Sequence, residues 1–283
     1  MQLEQQELGD ALRAATAQLA AAGVPTPRVD AELLAAHLLG ASRGEVAAMA
    51  LGGAPAPEGL AGLVERRAQR VPLQHLTGVA YFRYIELAVG PGVFIPRPET
   101  ESVAQWAIDQ AKLLEHARVA DLGTGSGAIA GSIAFEVPGA EVFAVELSDE
   151  ALPYARANLE PLGVKLIQGD LATALGEYDG RFDVIASNPP YIPANAVPRE
   201  PEVRDHDPQM ALYGGGEDGM VLPRAAERSA ARLLKPGGFF IMEHAEVQAP
   251  AMAALLAGTG DWDSVTTHID LNGSDRATSG IRR

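Results

Sequence analysis

Between residues 118 and 243 short apolar runs alternate with longer stretches of helical pattern. The runs are "RVADL", "EVFAVEL", "VKLIQGD", "FDVIASN" and "GGFFIMEH", and helices are predicted from about Gly127, from Asp149 and near 220–234. Strand-like runs separated in this way read as βαβ units, which build a parallel sheet with helices on both faces. The fold class is therefore α/β. Ligands of such sheets bind outside the carboxyl ends of the strands, where the strand order reverses, so the loops after these runs are where function is sought. The C-terminal "DSVTTHIDLNGSDRATSGIRR" predicts two further strands joined by a polar turn.

Ahead of this region the pattern is helical. "PTPRVDAELLAAHLLG" offers Thr26 as N-cap, Pro27 at the first helical position and Gly40 as the stop, with Leu33, Leu34, His37 and Leu38 near one packed face. Ser42 to Glu45 has the spacing of a capping box. "EGLAGLVERRAQR" predicts another amphipathic helix, with Glu65 and arginines 66, 67 and 70 as a solvated face. "VAYFRYIELAV" alternates and is rich in β-branched and aromatic residues, and Gly90 to Gly92 then turn the chain toward "VFIPRPETE". We divide the chain into an N-terminal helical domain (1–78), a β-hairpin linker (79–97) and an α/β domain (98–283).

The formal net charge is −15, and residues 1–90 hold seven Arg against nine Asp and Glu, so most of the excess lies later. A protein that grips a long stretch of nucleic acid shows its phosphates a basic surface, and no stable nucleic-acid partner is expected. With no cysteine, disulfides and thiolate chemistry are excluded, which fits a reducing compartment. "MQLEQQELGD" lacks the basic start and apolar run of a signal peptide, and no apolar run reaches membrane-spanning length. The expectation is a cytoplasmic protein without a membrane partner.

"DLGTGSG", Asp121 to Gly127, sits where the first strand meets the first helix. Its glycines let backbone turn sharply and approach a ligand, and the helix that follows presents free N–H groups. The second strand ends on Glu146, whose carboxylate can accept from both hydroxyls of a ribose. The spacing is not that of a dinucleotide loop and no Walker lysine follows, so a nucleoside ligand without pyrophosphate fits better. After the third strand, Asp170 can bond an exocyclic amine, with Leu171 against an adenine ring; a helix N-cap is the equally good reading of Asp170.

"SNPPYI" ends the fourth strand on Asn188, Pro189, Pro190 and Tyr191. Each proline fixes its own φ and restricts the residue before it, and neither has an N–H. The Asn188 side-chain oxygen and the Pro189 carbonyl can thus act as two rigid acceptors for one substrate NH2, with Tyr191 as a flat wall. An amide or aromatic NH2 is a weak nucleophile because its lone pair is delocalised. Two acceptors drawing on its hydrogens localise density on nitrogen and aim it, as methyl transfer requires, and such positioning is worth up to roughly 7–11 kcal/mol.

"DLGTGSGAIA" with "SNPPYI" resembles the S-adenosylmethionine-dependent N-methyltransferases with a seven-strand sheet. "VPLQHLTGVAYF", "FIPRPETE" and "DLNGSDRATSGIRR" are similar to segments of the peptide chain release factor glutamine methyltransferases, and the resemblance runs from about residue 25 to the end. It implies a mostly parallel, Rossmann-like methyltransferase sheet, S-adenosylmethionine as cofactor with S-adenosylhomocysteine as product, no metal, and bacterial class-I release factors as protein substrate, modified on the Gln of Gly-Gly-Gln. Carried over by position, it implies a cofactor site of Phe94, Glu99, Thr100, Asp121, Gly123, Thr124, Gly125, Ser126, Gly127, Glu146, Leu147, Asp170, Leu171 and Asn188. Asn188, Pro189, Pro190 and Tyr191 are the catalytic residues it implies, with Phe94 also packing around the substrate amide. His75 stands where an aromatic is common, and Glu146 where many members have Asp.

A glutamine methyltransferase of a ribosomal protein has nearly the same motifs. An adenine or ribosomal RNA methyltransferase shares the Asn-Pro-Pro-Tyr run but needs a basic surface, and a non-catalytic cofactor-binding module is the reading from another class. Among histidines, His206 between two aspartates reads as a solvated loop, His37 as packed, and His244 as structural. The segment 198–220 is expected to shape the groove for a protein substrate.

Overall fold

The structure, a computed structural model, describes residues 6–283; the first five residues of the predicted helical domain lie outside them. The chain divides into two units, one formed by residues up to Gly78 with Pro198–His206, the other by Val79–Val197 with Asp207–Arg283. Segment 198–206, placed by sequence in the 98–283 domain, thus belongs with the helices.

The helical unit consists of α1 (Leu8–Ala21), α2 (Pro27–Leu39), α3 (Arg43–Leu51), α4 (Leu60–Ala68), α5 (Leu73–Thr77) and the short helix Pro201–His206. Pro27 opens α2 and Gly40, at φ 60°, closes it. The Thr26 hydroxyl does not cap a backbone N–H; it donates to Asp30 Oδ1 at 2.8 Å. Ser42 and Glu45 form the predicted reciprocal capping box. Leu8, Leu12, Leu19, Leu34 and Val46 are completely buried, each contributing about 1.5–3 kcal/mol of apolar transfer. His37 and Leu38 are exposed, contrary to the packed face expected, because α2 turns Ala31, Leu34, Ala35 and Ala36 inward instead.

Of the expected solvated face, Glu65 and Arg66 are exposed, but Arg67 and, just beyond α4, Arg70 are not free. Arg67 is 5% exposed; its Nε donates to Asp30 Oδ2 at 2.7 Å and its Nη1 to Glu202 Oε1 at 2.9 Å. Arg70 grips both oxygens of Glu202, at 2.7 and 2.6 Å. Burial opposes charge on Glu202, but the bonds from Arg70 and Arg67 prevail and hold its pKa down at about 2.

In the other unit β1 (Val79–Phe82) and β2 (Ile85–Ala88) form an antiparallel hairpin. Its turn falls at Arg83 and Tyr84, where Arg83 takes φ 51° and its guanidinium is held by Glu136 and Gln105. Then follow α6 (Thr100–Ala111), β3 (Arg118–Leu122), α7 (Ala128–Glu136), β4 (Glu141–Glu146), α8 (Leu152–Leu159), β5 (Lys165–Gln168) and β6 (Phe182–Ser187). The chain ends with helix Val221–Leu233, β7 (Leu234–Glu243), helix Ala249–Thr259, β8 (Trp262–Ile269) and β9 (Asp275–Arg282).

These strands make one seven-stranded sheet in the order β5-β4-β3-β6-β7-β9-β8. The first five are mutually parallel, and β9 runs antiparallel to both β7 and β8. Alternate residues of each strand point to opposite faces: Val142 and Ala144 join Ile108, Ile129 and Ile133 on one side, Phe143 and Val145 join Phe182, Phe240 and Trp262 on the other. The order reverses between β3 and β6, so the loops after Leu122 and Ser187 flank the switch point.

Candidate active site

At the end of β3, Gly123 and Thr124 both donate their N–H to Val145 O, at 3.0 and 2.9 Å, bending the chain sharply across the neighbouring strand. Gly127 follows at φ 90°, and a Cβ there would lie 2.7 Å from Leu159 Cγ, so no larger residue can let α7 start this close to α8. Asp121 points back into this turn rather than outward. Its Oδ2 accepts from Thr124 Oγ1 at 2.6 Å and Ala130 N at 3.2 Å, and Oδ1 is buried without a partner. Burial lifts its pKa to about 6, against the pull of those two bonds. Asp121 is a brace for the loop.

Glu146, at the end of β4, is satisfied by backbone. Its Oε2 accepts from Gly125 N at 2.7 Å, and its Oε1 from Leu147 N and Ser148 N at 2.9 and 2.8 Å. One lone pair of Oε2 remains for a hydroxyl. Leu147 beside it is 52% exposed, an apolar surface on the rim. Asp170 Oδ1 accepts from Ala172 N at 2.8 Å in the turn after β5; no helix starts there, so the helix N-cap expected as one reading is not formed. Leu171 is buried beneath Gly123. Ser126 is buried and its carbonyl accepts from Asn158 Nδ2 at 2.8 Å.

At the end of β6 the Ser187 hydroxyl donates to Leu122 O at 2.6 Å, locking the two strand ends that border the switch point. Asn188 follows half-buried, its Nδ2 donating to Thr100 Oγ1 at 3.4 Å. The Pro189 carbonyl receives no backbone hydrogen bond among the described residues. Tyr191 donates its hydroxyl to Glu243 Oε1 at 3.3 Å, and burial with the adjacent Glu243 raises its pKa well above the ordinary tyrosine value. Thr100 is buried at the start of α6, and Glu99 just before it faces Tyr191 and Glu243 electrostatically. Phe94 lies half-buried under the Arg97 guanidinium, 5.0 Å from its ring centroid, and Arg97 is paired with Asp207.

The loop after β6 is backed by residues that the sequence did not single out. Gln248 Nε2 donates to Tyr191 O at 2.8 Å and to Asp218 O at 3.0 Å. Gly219, at φ 70°, comes so close that a Cβ would stand 2.2 Å from Tyr191 O. Ile192 bonds Leu212 and Gly214 through its N–H and carbonyl, at 2.9 and 3.0 Å. The glycine-rich segment 214–219 thus forms the floor of the Tyr191 turn. Glu243 was legible only as a carboxylate closing an otherwise apolar strand beside β6. His244 is fully buried, its Nε2 2.8 Å from Thr278 Oγ1, which is the structural role expected.

A Cβ on Gly125 would meet nothing within 4 Å, so the loop offers bare backbone, and Glu146 and Asp170 stand at the carboxyl ends of the adjacent strands β4 and β5. Among the described residues no three His, Cys, Asp or Glu side chains are grouped to hold a metal, and no helix is long and apolar enough to cross a membrane.

Residues 10–78 match the PrmC N-terminal domain, and residues 113–274 match a methyltransferase domain. A release factor glutamine methyltransferase from Streptomyces coelicolor is 50% identical over 93% of this chain and 93% of its own. One of the same name from Mycolicibacterium smegmatis is 47% identical over 97% and 98%, and one from Deinococcus radiodurans 44% over 95% and 96%. Among solved structures, the Thermus thermophilus 16S rRNA N2 G1207 methyltransferase in complex with AdoMet and guanosine aligns at a TM-score of 0.50. It is 23% identical, with 72% of this chain and 50% of that one covered, a likeness of fold.

Proposed function

From the premise that the chain belongs to the release factor glutamine methyltransferase family, we propose that it methylates the side-chain amide nitrogen of the Gln in the Gly-Gly-Gln motif of bacterial class-I release factors. The protein is an S-adenosylmethionine-dependent protein-glutamine methyltransferase. The observation that carries the assignment of roles is the tie between Asn188 Nδ2 and Thr100, which leaves Asn188 Oδ1 to accept, next to a Pro189 carbonyl with no backbone donor.

Gly123 to Gly127 and Glu146 would hold the methionine and ribose parts of S-adenosylmethionine, with Asp170, Leu171 and Leu147 about its adenine. When bound there, that cofactor supplies an electrophilic methyl carbon. Asn188 Oδ1 and Pro189 O accept the two N–H bonds of the glutamine amide, which draws density onto nitrogen and fixes the direction of its lone pair. Pro190 keeps Pro189 extended, and Tyr191 with Phe94 confines the planar amide. The methyl transferred from S-adenosylmethionine would leave S-adenosylhomocysteine and, once the nitrogen has released one proton to water, a neutral N-methyl amide. The reaction calls for no metal and no strong base.

The net charge of −15 supports a protein partner over extended nucleic acid, and a substrate that works in translation supports a cytoplasmic location. Peptide-mapping mass spectrometry of an unmethylated release factor incubated with enzyme and cofactor tests the proposal. One added methyl on the Gly-Gly-Gln glutamine is expected. A release factor left unmodified while a ribosomal protein gains the methyl would overturn it.

A further inference from the structure

Gln248 takes no part in the steps above, yet its side chain meets the loop after β6 from behind. It ends a short turn, Glu246–Gln248, between β7 and the helix Ala249–Thr259, and is 7% exposed. The turn braces it twice. Its backbone N–H donates to Ala245 O at 2.8 Å, and its side-chain Oε1 accepts from Ala245 N at 3.1 Å. Its Nε2 divides two hydrogens between Tyr191 O at 2.8 Å and Asp218 O at 3.0 Å. All these partners of the amide are backbone groups, whose donor and acceptor roles cannot change, so its orientation is fixed. An amide turned by 180° would set its oxygen against two carbonyls and its NH2 against an N–H.

What this amide controls follows from the covalent chain. Residues 188–191 form a strap between two anchors. At the near end Ser187 is paired in the sheet and its hydroxyl donates to Leu122 O at 2.6 Å. At the far end Ile192 bonds Leu212 and Gly214, but those bonds join one loop to another. Gln248 fastens both loops to the turn after β7, one through Tyr191 O and the other through Asp218 O. Within the strap the prolines fix φ at 189 and 190. The direction of the Pro189 carbonyl is then set by its ψ, which is held only while both ends of the strap are held.

We infer that Gln248 is a positioning residue for the transfer: it holds the far end of the strap, and with it the direction in which the Pro189 carbonyl is presented to the substrate amide. This rests on the reading of Pro189 O as one of the two acceptors. The same amide holds Asp218, next to the Gly219 that lies against Tyr191 O, so one group secures both the turn and its floor. Gln248→Met removes the donor at similar size. In Gln248→Glu one carboxyl oxygen can still accept from Ala245 N, while the other faces two carbonyls. Ionised, it repels both; protonated, it donates to one. Burial and the facing carbonyls favour the protonated form and raise its pKa above the ordinary carboxylate value, so this variant is mended as the pH falls.

Pro189–Pro190 is the one Pro-Pro peptide in the sequence. Protein labelled in carbon and nitrogen at proline alone therefore gives a single carbonyl–nitrogen cross-peak by NMR, which reports the geometry at the Pro189 carbonyl without any substrate. The peak is expected to shift and broaden in Gln248→Met, and in Gln248→Glu to return toward its wild-type position as the pH is lowered from about 8 to about 5.5. A peak unmoved in both variants would overturn the inference, whatever the substrate proves to be. The second test measures kcat on a release factor, with cofactor affinity by calorimetry and the folded fraction by circular dichroism. In Gln248→Met kcat per folded enzyme should fall by about tenfold to a hundredfold with cofactor affinity kept. In Gln248→Glu the loss, taken against the wild type at the same pH, should shrink as the pH falls, which decides the matter should Gln248→Met fail to fold. A lower melting temperature with kcat per folded enzyme unchanged, or a parallel loss of kcat and cofactor affinity, would refute the inference. A wild type that leaves the release factor unmethylated while the cross-peak behaves as expected would uphold the anchoring by Gln248 and count against the function proposed above.

Discussion

The loops after β3 and β4 and the loop after β6 border the same crevice but are held by different means. On the glycine-loop side the carboxylates are satisfied by nearby backbone: Glu146 by Gly125, Leu147 and Ser148, Asp170 by Ala172. On the Asn188 side the geometry is carried by side chains from distant parts of the chain, Thr100, Glu243 and Gln248, and by glycines that admit the loop's backbone at close range. Backbone donors cannot rotate, so the first side is fixed wherever the strands are paired. Side-chain amides and hydroxyls can turn over, so the second side holds its direction only while a full network is intact. On the function proposed above, binding falls to the rigid side and aiming to the side that can be mistuned.

Three substitutions can break or sharpen this division. Asn188→Ala removes one of the two acceptors, and kcat should fall by about a hundredfold or more while calorimetry finds cofactor affinity unchanged. An equal loss of both would mean that Asn188 holds the crevice together. Gly219→Ala places a Cβ 2.2 Å from Tyr191 O at φ 70°, and is expected to cost roughly 1–3 kcal/mol of stability and to lower kcat more than cofactor binding; an unaltered melting temperature and rate would show that the floor can yield. Glu146→Gln, the mildest, turns one acceptor into a donor beside backbone N–H groups. It should weaken cofactor binding by about tenfold, roughly 1.4 kcal/mol, with kcat at saturating cofactor near wild type. A lower kcat at saturation would erase the boundary between the two sides.

The same division explains what could be read from sequence. Pro27, Gly40, the Ser42 to Glu45 box and the strand ends at Leu122 and Glu146 depend on residues within a few positions, and each lies where the pattern put it. Glu243, Gln248 and Gly219 acquire meaning only when β7 lies beside β6 and segment 214–219 passes under Tyr191, which no local pattern encodes. The burial of Arg67 was hidden for the same reason: its partner Glu202 is far along the chain. The exposed His37 shows the opposite error, since an alanine stripe on α2 has too little hydropathy contrast to announce which way it faces.

Segment 198–206, clasped by Arg67 and Arg70, makes the helical unit a discontinuous one. Such a unit cannot be moved between proteins as a simple N-terminal fusion. A chimera that exchanged only residues 1–78 would bring foreign helices to an unaltered Glu202, and a truncation at residue 79 would leave that carboxylate without either arginine. Transplanting it takes two cuts and two grafts, so drift in the segment after the catalytic loop and drift in α4 must be accepted or rejected together, which binds two distant stretches of the gene into one heritable unit.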